Sequence, residues 1–372
     1  MPKKAYIGVE GVARQIKKGY IGVNGVARKI KKAYIGVGGV ARPFWAGGQL
    51  ARYGTITPLS QRRAYLASVS KGKYAIFAGG TMIGRSDVVD AYDSSLKQIT
   101  AISPLTEARS QLAGAKVGKY AVFAGGSTNA AEAYDSSLTL TLCECSALSS
   151  KRNALAATSV TGFALFGGGN AKSTVDSYDE SLTMRTITSL GDTALDLAAS
   201  PVGNYGLFGG GASGTTRKSC VTAYRGGDLQ QSVIDPLSVA RDCLAAEEIG
   251  NFAMFAGGSI GTYAGVADVD TYDTSLVHRT LSEGLSTERH SLAATKTSDY
   301  VLFGGGRDGT SGRSNVVDAF DKNLTRITKT ELFLQNGRSN LAGAYAGDYA
   351  IFAGGQNSEG DSMDVVDVYT QI

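Results

Sequence analysis

A chain of 372 residues has room for two ordinary domains or for one large all-β domain with an appendage. Its 49 glycines are too regularly placed for a flexible linker, and no apolar run approaches the roughly 18 residues of a membrane span. Met1-Pro2-Lys3-Lys4 lacks the apolar stretch of a signal peptide, so a soluble product of a cytoplasm with no membrane partner is expected. The net charge of +4 hides an asymmetry: residues 1–52 carry eleven Lys or Arg against Glu10 alone, and the remainder 26 basic against 32 acidic residues. Segments of opposite sign imply different surroundings or different tasks.

The N-terminus is a 14-residue repeat. Ala5-Tyr6-Ile7-Gly8-Val9-Glu10-Gly11-Val12-Ala13-Arg14-Gln15-Ile16-Lys17-Lys18 returns as Gly19 to Lys32, and again from Ala33, decaying after Arg42. Each copy sets Glu10-Gly11, Asn24-Gly25 or Gly38-Gly39 between two β-prone runs, the pattern of a two-residue hairpin turn. Three successive hairpins are predicted. Isolated hairpins are marginal in water, so residues 1–46 read as an attachment segment that stacks on itself, on a sister chain or on another protein. Lys17-Lys18 and Lys31-Lys32 recur in register with the turns, with only Tyr6, Tyr20 and Tyr34 as aromatic company. They read as solvated hairpin ends in preference to a nucleic-acid contact.

The repeated phrase resembles tandem repeats of tail and minor structural proteins of phages and prophages of Gram-positive gut bacteria, over about an eighth of the chain. Pro43-Phe44-Trp45-Ala46-Gly47-Gly48 breaks the period and reads as a linker, with residues 47–52 leading into the second domain.

From residue 53 a longer repeat takes over. Tyr74-Ala75-Ile76-Phe77-Ala78-Gly79-Gly80 returns around Phe123, Phe166, Phe208, Phe255, Phe303 and Phe352, at spacings of 46, 43, 42, 47, 48 and 49 residues. Periods of this size indicate a propeller or a solenoid. Each copy offers four strands. In the first they are Ala64 to Ser70, the wholly apolar Tyr74 to Ala78, Asp87 to Asp93, and about Lys97 to Ile102. Four strands in each of seven copies describe a seven-bladed β-propeller.

The last copy ends at Ile372 without a fourth strand. Thr57 to Arg63 matches Ser103 to Arg109 at an offset of 46, so Tyr53 to Thr57 occupies a fourth-strand slot with no blade ahead of it. This strand is expected beside Asp364 to Tyr369, closing the ring and removing an exposed sheet edge.

Residues 53–372 resemble kelch-repeat propellers in the double glycine after strand two, the arginine before strand one and the Tyr-Asp of strand three. The tryptophan usual in strand four of that family is absent, Trp45 lying outside the repeat, and Leu96, Leu138, Leu182, Leu229, Leu276 and Leu324 stand near its place.

A charge pair repeats as well. Fourteen residues before each phenylalanine stands Arg63, Arg109, Arg152, Arg241, Arg289 or Arg338, and two before each strand-three aromatic stands Asp90, Glu132, Asp176, Asp270, Asp318 or Asp367. Copy four has Ala194 and Thr222 instead. Their joint loss points to internal salt bridges, one in each of six blades, over an anion-binding ring at the channel mouth.

No catalytic constellation is expected, and no cofactor or metal. A copper oxidase on a kelch-like propeller would need several histidines, whereas the chain has only His278 and His290. The repeated turns of sialidase propellers are absent, and Gly209 to Thr216 lacks the lysine of a phosphate loop. Cys143, Cys145, Cys220 and Cys243 fit no zinc spacing and read as small apolar thiols, a redox or metal pair being the alternative.

The loops between strands two and three vary instead: Ser127 to Ala131 is short, while Gly211 to Ser219, Ser259 to Asp268, Gly306 to Asn315 and Gln356 to Asp364 are long. Recognition concentrates in loops on a rigid frame. Arg85, Arg217, Tyr263, Arg307, Asp308 and Arg313 are the candidate ligand contacts.

With the two resemblances, the reading is a virion structural protein of a phage or prophage tail. Residues 1–46 would join tail proteins or sister chains, a homotrimer fitting such an appendage, and the propeller would bind a glycan or protein on a bacterial surface. An intracellular kelch-like adaptor and a propeller enzyme are the alternatives.

Overall fold

A computed structural model describes residues 48–99, 101–138, 146–261, 264–309 and 312–372, and as backbone strands alone 6–9, 12–15, 20–23, 26–29, 33–37, 40–45 and 140–141. Seven four-stranded antiparallel sheets are arranged as the blades of a β-propeller. Blade one, from the centre outwards, is Ala67–Lys71, Tyr74–Ala78, Val89–Asp93 and Gln98–Ile99. The innermost strands of successive blades are neighbours all the way round. Blades seven and one meet through Ser68 Oγ, which donates to the Gly343 carbonyl at 2.7 Å, and Ser70 Oγ, which accepts from the Tyr345 amide at 2.8 Å.

The apolar second strand follows from its surroundings. Ala75, Ile76, Phe77 and Ala78 are wholly buried, because both faces of a blade are covered by its neighbours. Phe77 meets Tyr92 edge to face at 6.2 Å, and each of the other six blades repeats the aromatic pair. Such pairs add about 0.5–1.5 kcal/mol beyond their buried area. The six leucines after the Tyr-Asp turn all have left-handed backbone, φ between 56° and 64°. In blade one, Asp93 Oδ1 accepts from the amides of Ser95 and Lys97, and this tight turn folds Leu96 onto the core shared with blade seven.

The double glycine joins neighbouring blades. Gly79 has φ +65°, and a Cβ there would stand 2.6 Å from the carbonyl of Arg109 in the next blade. Gly80 donates its amide to that same carbonyl at 2.9 Å. The relationship passes round the ring until Gly355 donates to Arg63 at 2.9 Å. Only glycine allows so close an approach with this backbone.

The six arginines are wholly buried, each against the acid of its own blade. Nitrogen–oxygen distances are 2.6 Å for Arg152–Asp176, 2.8 Å for Arg241–Asp270 and for Arg338–Asp367, and 2.9 Å for Arg289–Asp318; Arg63 pairs with Asp90 and Arg109 with Glu132 in the same way. Arg152 also donates to the carbonyls of Gly168 and Thr174, both at 2.8 Å, so the guanidinium ties the end of strand two to the start of strand three. In blade four Thr222 keeps one duty of the missing acid: its hydroxyl accepts the Gly191 amide at 3.0 Å, where Asp176 accepts that of Ser149 at 3.1 Å.

The N-terminal strand completes the last blade. Leu50–Thr55 pairs antiparallel with Val366–Gln371, Thr55 opposite Asp367 and Leu50 opposite Gln371. It begins three residues earlier than Tyr53, inside the stretch 47–52 expected as linker, because its partner continues to Gln371. Strand one of blade one likewise starts at Ala67 and not at Ala64, since Tyr65 has left-handed backbone, φ 56°.

Three two-stranded antiparallel sheets precede the propeller: Tyr6–Val9 with Val12–Gln15, Tyr20–Val23 with Val26–Lys29, and Ala33–Val37 with Val40–Trp45. The last reaches through Pro43, Phe44 and Trp45, which sequence reading assigned to the linker; Pro43 stands opposite Tyr34 and Trp45 opposite Ala33, past an irregularity that absorbs the shift in register.

Candidate functional site at the mouth of the channel

The innermost strands surround a channel of about 420 Å³. Its lining is mostly small: Ser68, Gly114, Ala157, Ala199, Ala246, Ala294 and Gly343 contribute one position from each blade. One cluster of its charges is paired within the wall. Lys296 Nζ lies 3.1 Å from Glu247 and 2.7 Å from Glu248, and 5.1 Å from the centre of the Tyr345 ring.

The channel opens on the loop face through a closed ring of seven backbone hydrogen bonds. Tyr65 donates to the carbonyl of Asn340, Gln111 to Tyr65, Ala154 to Gln111, Asp196 to Ala154, Cys243 to Asp196, Ser291 to Cys243 and Asn340 to Ser291, at 2.8–3.0 Å. All seven have left-handed backbone, φ 51–56°. None is glycine, and such a conformation is uncommon in other residues. The kink turns the chain from the arginine into the innermost strand and gathers seven side chains at the mouth.

In every copy a dipeptide lies between the arginine position and a buried leucine: Ala64-Tyr65, Ser110-Gln111, Asn153-Ala154, Leu195-Asp196, Asp242-Cys243, His290-Ser291 and Ser339-Asn340. The first of each pair, in five blades, bridges the residue after the double glycine, as Asp242 does Ser259 and His290 does Arg307. Variable side chains from several blades thereby meet at the mouth.

Charge is concentrated on the side formed by blades four to six. Arg217 Nε lies 3.0 Å from Asp242 Oδ2. Burial, with Asp242 nearby, pushes the Asp196 carboxyl up to about 6, so it exchanges its proton near neutrality. Burial pushes the Cys243 thiol well up, which leaves it unreactive. His290 is held below the ordinary imidazole range by burial and by Arg307, Arg313 and Arg217. Its Nδ1 is 3.0 Å from Ser291 Oγ, and its Nε2 is buried with no hydrogen-bond partner. This arrangement can donate hydrogen bonds to an acceptor group and hold a proton at Asp196. Among the described residues, no group of three or more His, Cys, Asp or Glu is placed to hold a metal ion.

Of the loop residues named from the sequence, Arg307 stands opposite His290 and Arg313 opposite Arg307, and the charge of Arg217 also acts on the imidazole. Arg85 is exposed and pairs through its backbone with Thr81. Asp308 is half-buried and turned towards its own loop, where a Cβ on Gly312 would stand 2.7 Å from its Oδ1. Tyr263 lies outside the described residues. Tyr65, Asp196, Asp242 and His290 were missed as site residues. The signal for them was the changing dipeptide set between a repeated arginine and a repeated leucine. His278, on an outer strand, serves structure, its Nε2 lying 2.8 Å from Asp270. Of the cysteines, Cys220 and Cys243 are free, and Cys143 and Cys145 lie outside the described residues.

No family model matches the chain, and no curated protein matches it. Among solved structures it is similar to one described as the structure of YjhT, with 9% identity over 84% of this chain and 96% of that one and a TM-score of 0.57. At that identity the likeness is one of fold. The shared feature is the propeller, a frame for a binding or enzyme-like module.

Proposed function

We propose that the protein is a binding module of a phage or prophage tail. Its hairpin segment joins tail proteins or sister chains, and the loop face of its propeller engages a glycan or protein on the bacterial surface. The observation that carries the binding reading is the contrast within each blade. Double glycine, aromatic pair and leucine repeat in all seven and the arginine in six, whereas the side chains at the mouth differ from copy to copy. Variable loops carried on a repeated, rigid frame are where recognition concentrates. The tail assignment is supported by the 14-residue repeats, which resemble those of Gram-positive phage structural proteins, and the kelch-like pattern of the propeller accords with a module that binds partners.

Two measurements test this. Antibody to the chain is expected to label purified particles at the tail, and labelling elsewhere or none would remove the virion reading. Purified full-length protein is expected to bind intact cells and to lose binding when Ala212–Arg217 and Ser259–Gly265 are shortened to the length of the blade-two loop. Capture of one cytosolic protein without cell binding would move the reading to an intracellular adaptor.

A further inference from the structure

The loop ladder of blade six carries three basic side chains in a row. His290 and Arg307 exchange backbone hydrogen bonds of 3.1 and 2.8 Å, and Arg307 stands directly opposite Arg313 on its other side. Residues directly opposite in an antiparallel pair project from the same face, so the imidazole and the two guanidinium side chains stand on one side of the ladder. The fold has no need of this row. Blade seven builds the same ladder from Ser339, Gln356 and Ser362, and blade one from Ala64, Thr81 and Arg85. A third guanidinium, that of Arg217 from blade four, is near enough to disfavour a proton on His290. Its Nε is held by Asp242.

His290 supplies the second observation. The residue is 92% buried, from a relative exposure of 8%, and with Nδ1 beside Ser291 its Nε2 has no partner. A buried polar atom without a partner is costly, and an acceptor brought by a ligand relieves that cost.

We propose that His290, Arg307 and Arg313, with Arg217, form an oxyanion subsite that receives a carboxylate or phosphate group of the ligand at the channel mouth. The proposal rests on the reading of the loop face as a binding surface and names the chemistry it selects. Guanidinium groups suit such anions because their planar N–H forks match the paired oxygens. With Nδ1 accepting from the Ser291 hydroxyl, the tautomer this subsite requires, the neutral imidazole adds a donor through Nε2.

The test uses the full-length protein with inorganic phosphate and D-glucuronate as probes, titrated calorimetrically. Saturable binding of at least one is expected, weakened by about tenfold or more in the Arg307→Gln/Arg313→Gln double variant, as befits loss of charge-assisted contacts. Lys97→Gln, in a turn on the opposite face, is expected to bind as the native protein does. If the double variant does not fold, Arg313→Gln alone is read in its place. No saturable binding of either anion, or equal binding by native protein and variant, overturns the subsite. Competition of phosphate or glucuronate against cell binding identifies which group the surface ligand carries. Cell binding that survives in the double variant overturns the subsite and leaves the binding-module reading standing. Anion binding by a protein that does not bind cells supports the subsite and overturns the surface-ligand reading.

Discussion

Arg52 reaches across 315 residues of sequence to Asp367, its Nη2 lying 2.5 Å from Oδ1. The same carboxylate takes Arg338 from inside the blade at 2.8 Å, so one buried acid holds both the blade and the strand that closes the ring. Arg52 is partly exposed and Arg338 is not. Arg52→Ala is expected to cost about 1 kcal/mol, as a partly solvated pair does, and Arg338→Ala about 3 kcal/mol, because it breaks the fully buried pair and leaves Asp367 only the partly exposed Arg52. Removing residues 1–55 exposes the edge of Val366–Gln371 and is expected to yield aggregating protein. Denaturant midpoints and light scattering check the three; equal midpoints for the two point variants would refute the assignment.

Blade four lacks both members of the charge pair, and its core has closed over the space. A cavity of only about 10 Å³ remains beside Ala194, Phe208, Cys220 and Thr222. Ala194→Arg and Thr222→Asp are each expected to destabilise the protein by ~3 kcal/mol or more, through an unpaired buried charge. The double variant should recover part of the loss. A double-mutant cycle from urea unfolding measures the coupling, and additive losses would show that the pair cannot form there.

Gly257→Ala is expected to be more harmful than its single methyl suggests. The residue has φ +63°, and its Cβ would come within 2.6 Å of the Arg289 carbonyl. Backbone yields less readily than a side chain, so a loss of about 2–4 kcal/mol is expected from strain and a displaced blade contact. Gly72→Ala, with φ +58° and nothing within 4 Å, supplies the control for backbone conformation alone. Thermal unfolding of the two variants separates the terms.

Asp196 is held at about 6 in the folded protein, above the ordinary carboxyl value near 4. The folded state therefore binds this proton more tightly than the unfolded chain does. Its contribution to stability is greatest below pH ~4 and is lost as pH rises through about 6. Asp242 and Arg217 adjoin it, so the group titrates within a coupled cluster. Between pH 4 and 7 the stability of the native protein is expected to fall relative to Asp196→Asn. Parallel profiles for the two proteins would exclude this titration.

Much of the propeller was legible because a repeat states its own rules seven times. The apolar run before each double glycine, the arginine and acid lost together in copy four, and the orphan strand ahead of the first copy are local or in-register features, and one sequence aligned on itself displays them. The hairpins were readable for the same reason, x-Gly pairs between β-prone runs being short-range turn signals. The mouth of the channel was not. Tyr65, Asp196, Asp242 and His290 stand tens of residues apart, in blades one, four, five and six, and become neighbours only because the ring closes. Their aim into a common space depends on a left-handed kink at seven non-glycine residues, which the closed circle of backbone hydrogen bonds holds in place and no local propensity announces. The repeated residues determined the frame through packing within and between adjacent blades, while the convergence of loop side chains was decided by the curvature of the whole ring.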